Sequence, residues 1–152
     1  MHEMVNDRRL GAQIGTGMPT PVDELCYCIA MRQAARRITG RYDKALLPLG
    51  ISVAQFSLLL SLDQCGKISL TELAKALELD RSTVGRNIKV LQRDRFVTVE
   101  TGTDQREATI GLTEHGREVF DRAFPLWQAT QDAVDIALGP HKAPLIEALD
   151  IL

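Results

Sequence analysis

Cysteine, long apolar runs and catalytic constellations are all scarce in this chain of 152 residues, and each scarcity narrows what it can be. Cys26, Cys28 and Cys65 form an odd set. No continuous apolar stretch of signal-peptide type heads the sequence, so reduced thiols are expected rather than structural disulfides. Cys26 and Cys28 have no matching Cys or His cluster elsewhere, which leaves a structural zinc site short of ligands. The uncharged window around Phe56 to Leu62 falls far short of the roughly 18 residues that a membrane span needs. The expectation is a cytoplasmic protein without a membrane partner. His2, His115 and His141 are scattered, and there is no nucleophile–base spacing, phosphate loop or metal cluster. A non-enzyme without cofactor is therefore expected.

An excess of cations is also missing, since the formal net charge is −2. The charge is nevertheless segregated. Arg81, Arg86, Lys89, Arg93 and Arg95 face one acid, Asp94, within fifteen residues, whereas acids dominate from Glu114 onward. One segment is suited to meet anions and the other is not. With 45% hydrophobic and 25% charged residues, the composition is that of a soluble globular protein.

Periodicity orders the chain. Residues 1–20 carry no sustained period and read as a tail ahead of a single domain over 21–152. From Cys28, positions 28, 31, 35, 38, 42, 45 and 49 place one apolar or semi-apolar stripe along a helix that Pro48 and Gly50 end. Ser52 with Gln55, and Ser69 with Glu72, are capping-box pairs that open a second and a third helix. Asp80 is an N-cap for a fourth helix, RSTVGRNIKVLQR. The period then changes to two: Val97 and Val99 alternate with polar residues, as do Ala108, Ile110 and Leu112, around the polar turn TGTDQR. That is a β-hairpin. A long helix follows to about Leu138, with Pro125 expected to bend it, and Gly139-Pro140 separates a final short helix. The fold expected is mainly α with a small β-hairpin wing: a winged helix-turn-helix over 50–112, flanked by helices at 22–48 and 113–152.

Face by face, the fourth helix sets Val84, Ile88 and Leu91 on one side and Ser82, Arg86, Lys89 and Arg93 on the other. Such a stripe fits the major groove of B-DNA, which admits one helix. A guanidinium such as Arg86 can fork onto guanine, while Lys89 and Arg93 can meet phosphates, and Arg81 and Asn87 are further DNA-contact candidates. Ser82 and Thr83 lie at the helix N-terminus, where hydroxyls and free N–H groups favour a phosphate. Gly85 allows close approach to nucleic acid or to the preceding helix.

SLTELAKALELDRSTVGRNIKVLQRDRFV, then Asp104-x-Arg106, then Leu112-Thr113-x-x-Gly116, together resemble the MarR family of bacterial transcriptional regulators. Phe96 departs from the small residue or Gly-Leu pair of many relatives. The resemblance implies a homodimer with interlocking terminal helices, reading a palindromic operator in double-stranded DNA. It also implies that Arg106 enters the minor groove from the wing, with Asp104 orienting it, and a narrow A·T groove suits a guanidinium. Apolar residues such as Met31, Ile38, Phe124, Leu145 and Leu149 have no place on a small winged core, which supports dimerisation independently.

Two triggers stay open. Cys28 falls where the family's peroxide-sensing branch places its reactive cysteine, Tyr42 matches a tyrosine of that branch, and Arg32 stands where its second tyrosine would be. A cation one turn from Cys28 favours a thiolate. The bland alternative makes Cys28 a small hydrophobe on its stripe. The other trigger is an aromatic-acid effector, with Arg32, Arg36 or Arg41 meeting its carboxylate. The expected function is thus a DNA-binding regulator, a repressor released by effector or by oxidation. The alternative is a winged-helix protein-interaction module that binds no DNA.

Overall fold

The computed structural model describes residues 26–101 and 108–152. The chain divides into two compact units, residues 1–35 and 36–152, and the first helix, α1 (Tyr27–Leu46), runs from one into the other. In the first unit the described residues Cys26, Tyr27, Cys28, Ile29, Met31 and Arg32 are exposed.

The second unit carries the remaining elements. A 3₁₀ turn at Leu47–Leu49 ends on Gly50 in the left-handed region (φ 70°), as Pro48 and Gly50 dictate. Both capping boxes form. The Gln55 backbone N–H donates to Ser52 Oγ (3.2 Å) and the Ser52 N–H donates to Gln55 Oε1 (2.9 Å), opening α2 (Val53–Cys65). Ser69 and Glu72 repeat the exchange at α3 (Leu70–Ala76). The Glu72 carboxyl is held below its ordinary range by these bonds from Ser69.

After α3 the chain turns through Glu78 at φ 52° into α4 (Arg81–Arg93). The hairpin follows as β2 (Val97–Thr101) and β3 (Ala108–Leu112), antiparallel from Val97↔Leu112 to Thr101↔Ala108. The structure adds a strand that periodicity did not indicate. β1 (Ile68–Ser69) pairs with the other edge of β3, giving a three-stranded sheet in the order β1-β3-β2. Two residues are too short to carry an alternation. α5 (Glu114–Leu138) then continues through Pro125, and a 3₁₀ turn leads to α6 (Lys142–Asp150). Pro125 lacks an amide proton, but the flanking turns keep the helix continuous. The fold is a winged helix-turn-helix. Among the described residues no single helix is long and apolar enough to cross a membrane.

One apolar core joins these elements: Phe56, Leu59 and Leu62 of α2, Leu73 of α3, Val84, Ile88 and Leu91 of α4, Val97 and Ile110 of the sheet, and Val119, Phe120 and Ala123 of α5. Phe56 is the centre. Its ring stacks on Phe120 at 5.8 Å and on Trp127 at 5.5 Å, fastening α2 to α5. Arg117 on α5 adds an ion pair to Asp63 at the end of α2.

The step from sheet to α5 depends on a glycine. Thr113 caps α5 by accepting from the Gly116 N–H (2.8 Å), while its own hydroxyl donates to the Arg95 carbonyl (2.6 Å). A Cβ on Gly116 would overlap the Phe96 carbonyl, which itself accepts from the Thr113 N–H (3.1 Å). Phe96 is buried, so the bulkier residue here is accommodated inward. Gly116→Ala is expected to lower stability by about 1–3 kcal/mol through overpacking against this carbonyl. A thermal melt followed by circular dichroism checks it, and an unchanged midpoint would contradict the account.

Candidate nucleic-acid interface

α4 begins because Asp80, in extended conformation, accepts from the Thr83 backbone N–H (2.8 Å). The same carboxylate accepts from the Ser82 hydroxyl and from the Thr83 hydroxyl (2.6 Å). The Ser82 and Thr83 bonds, with a smaller Coulombic contribution from Arg86, hold the Asp80 carboxyl far below the usual range.

The helix then presents two unlike faces. Val84 and Leu91 are fully buried and Ile88 nearly so. Arg81, Ser82, Arg86, Lys89 and Arg93 are exposed, and Thr83 and Asn87 are half-buried between the faces. The structure thus brings together all the α4 residues picked out by helical phase. Gly85 is a partial exception. A Cβ there would meet Leu70 at an ordinary contact distance of 3.8 Å, so the approach of α3 does not require glycine.

The cations on this face are not equivalent. Arg93 donates Nε to Asp94 Oδ1 (3.0 Å) and Nη2 to Oδ2 (3.4 Å). The bond and charge of Asp94 raise the Arg93 pKa and offset its charge toward an outside anion. Arg86 instead donates Nη2 to the Thr83 hydroxyl (3.1 Å), and Asn87 Nδ2 donates to the Thr83 carbonyl (3.1 Å).

Asp104 and Arg106 lie outside the described residues, as does the rest of the wing tip at 102–107. At the base of the wing, Lys67 Nζ donates to both Glu100 oxygens (2.8 and 2.7 Å), and its stem lies across Gly111. Helical phase and strand alternation have no bearing on this pair, because it joins residues 33 apart.

Of the residues marked for sensing, Cys28 and Arg32 are exposed in the first unit. Tyr42, in the second, is buried and donates its hydroxyl to Gln131 Oε1 (2.5 Å). Burial, then the nearby Asp135, pushes the Tyr42 hydroxyl pKa up. Arg41 lines a groove of about 430 Å³ between α1 and α5, with Lys44 and Thr130 beside it and Leu126, Ala129, Ala133 and Val134 beneath. Lys44 and Thr130 were not among the residues singled out from the sequence. The spacing of Arg41 and Lys44, three apart on one helix, is the signal that could have paired them. Cys65 is exposed at the end of α2. No group of three or more potential metal ligands occurs among the described residues.

Comparison with known proteins agrees with this geometry. A model of the MarR family matches residues 49–107. The crystal structure of the Mycobacterium tuberculosis transcriptional regulator MosR in complex with DNA is similar, with a TM-score of 0.73 and 36% identity. The match covers 82% of this chain and 93% of that one. The Bacillus subtilis HTH-type transcriptional regulators YwoH and YhbI, both uncharacterized, are 30% identical over 91 residues and 32% identical over 79. Those matches take in 60% and 51% of this chain, and 66% and 51% of the two relatives. The chain therefore spans between half and two thirds of the length of these curated relatives. A transcriptional repressor, CouR, bound to a DNA duplex has a TM-score of 0.73 at 25% identity, over 84% of this chain and 91% of that one. These relatives are regulators and not enzymes, and the chain belongs to the MarR family.

Proposed function

We propose that this chain is a homodimeric, sequence-specific DNA-binding transcriptional regulator that acts as a repressor. The observation that carries the reading is the two-faced α4, with Val84, Ile88 and Leu91 buried and Arg81, Ser82, Arg86 and Lys89 outward. A helix anchored in this way can enter the major groove without disturbing the core. Arg86 and Asn87 are assigned to base edges, Arg81 and Lys89 to phosphates, and Ser82 to a phosphate through its backbone N–H, since its hydroxyl proton goes to Asp80. Arg93, neutralised by Asp94, has a lesser part. Arg106, oriented by Asp104, is assigned to the minor groove beside it. MosR and CouR, both solved with DNA, support this assignment. A partner copy is supported by exposed apolar side chains on the terminal helices: Tyr27, Ile29 and Met31 on α1, and Leu145, Ile146 and Leu149 on α6. On this reading α1 and α6 are the dimerising elements and the winged unit is the DNA-binding one.

For release from DNA, the groove beside Arg41 supports an aromatic carboxylate, with Arg41 and Lys44 for the acid and the alanines and Leu126 for the ring. A second reading rests on the exposed Cys28 thiol, whose oxidation would place a polar group on an apolar face.

Binding to a duplex selected from a random pool is expected to weaken steeply as salt rises, because phosphate contacts release counterions. Arg86→Ala should reduce specific affinity about tenfold or more. Lys89→Ala should weaken all sequences alike and make the salt dependence shallower by about one phosphate contact. Salt-independent retention, or capture of an acidic protein with no retention of DNA, would favour the protein-interaction module. Millimolar salicylate should release DNA from the wild type and not from Arg41→Ala. Equal release from both would sink the groove assignment. Mild peroxide should release the wild type but leave Cys28→Ser bound, and indifference of both would remove oxidation as the trigger.

A further inference from the structure

The hydroxyl of Thr83 faces two ways. Its proton goes to Asp80 Oδ2 (2.6 Å), so it is not available to donate to a phosphate. One of its two acceptor lone pairs takes Nη2 of Arg86 (3.1 Å). Asp80 is in turn fixed by the Thr83 backbone N–H and the Ser82 hydroxyl. The result is a continuous chain of hydrogen bonds, Asp80 to Thr83 to Arg86, running along the first turn of α4 and ending on the guanidinium at the centre of the exposed face.

An unrestrained arginine has many rotamers, and fixing one on binding costs conformational entropy. A guanidinium already held on one side loses less. Arg86 is exposed, and a guanidinium bonded once still has further N–H donors for the fork that a guanine edge requires. The cost of setting a carboxylate close to a nucleic acid is limited because Asp80 is satisfied by its three donors before any phosphate arrives.

We infer that Thr83 is a positioning residue rather than a phosphate contact: its hydroxyl, anchored by Asp80, pre-orients Arg86 and so sets the specificity of the base that Arg86 reads. The inference rests on the DNA-binding reading above. Asn87 serves as an internal reference, because it is tied to the Thr83 backbone carbonyl and not to the hydroxyl. Removing the hydroxyl therefore releases Arg86 and leaves Asn87 held, while Asp80 keeps the Thr83 N–H and the Ser82 hydroxyl as donors.

The test uses the full chain and a duplex enriched from a random pool, compared with duplexes carrying single base changes. Thr83→Val keeps the side-chain shape and the backbone bond to Asp80 while deleting the hydroxyl. It should lose about three- to tenfold of the discrimination at one base position, with the salt slope unchanged. Thr83→Ser should restore discrimination. In an Arg86→Ala background, Thr83→Val should cause no further loss of discrimination at that position, and circular dichroism reports separately whether the helix start is intact. The inference is overturned if Thr83→Val discriminates as the wild type does. It is also overturned if Thr83→Val weakens every sequence alike with a shallower salt slope, or if its effect persists in full without Arg86. Failure to enrich any duplex with the wild-type chain overturns the DNA-binding reading itself, and this inference with it.

Discussion

The burial of Val84, Ile88 and Leu91 is the constraint on which the rest depends. Each such side chain contributes on the order of 1.5–3 kcal/mol when removed from water. Together they fix the rotation of α4 about its own axis. A turn of 100°, one residue's worth, would expose this face and bring charged side chains against Leu73 and Ile110. The outward direction of Arg86 and Lys89 is thus a consequence of packing and needs no attraction to a ligand.

The core that receives α4 is itself held at two places. The Phe56, Phe120 and Trp127 rings join α2 to α5. The junction at Arg95, Phe96, Thr113 and Gly116 brings the end of β3 and the start of α5 back to the end of α4. The Thr-x-x-Gly motif therefore has a mechanical meaning. The threonine binds two segments at once, and the glycine leaves room for a carbonyl that any side chain would displace. The wing is in this way attached to the same helix whose face it flanks.

Charge on the exposed face is graded more finely than its composition suggests. Five cations lie from Arg81 to Arg95, yet a carboxylate stands at each end of α4, one just before them and one among them. Asp80 closes the N-terminus and Asp94 the C-terminus, each binding a neighbour on the helix. Lys89 makes no such pairing with either acid, and Arg86 is restrained by a neutral hydroxyl rather than neutralised. A face that is uniformly basic in sequence becomes one with a restrained guanidinium at its centre and a compensated one at its end.

Local rules made much of this legible. Ser52 with Gln55, Ser69 with Glu72 and Asp80 mark three helix starts, because a cap is a bond between residues three apart. The helical period gave the two faces of α4, and the period of two gave β2 and β3. Non-local contacts were not legible in the same way. The strand β1, the Lys67–Glu100 pair and the Tyr42–Gln131 bond, 89 residues apart, arise only when the chain folds back on itself. The pairing of Arg93 with its immediate neighbour Asp94 and the Thr83 bond to Arg86 are rotamer choices, which spacing permits but does not select. The sequence by itself determined where α2, α3 and α4 begin, which face of α4 is buried and which residues face out, since these follow from short-range periodicity and capping. Only the tertiary structure decided which of those outward cations are restrained or compensated and which polar groups are tied across the fold. Those outcomes depend on distances between elements that no local pattern encodes.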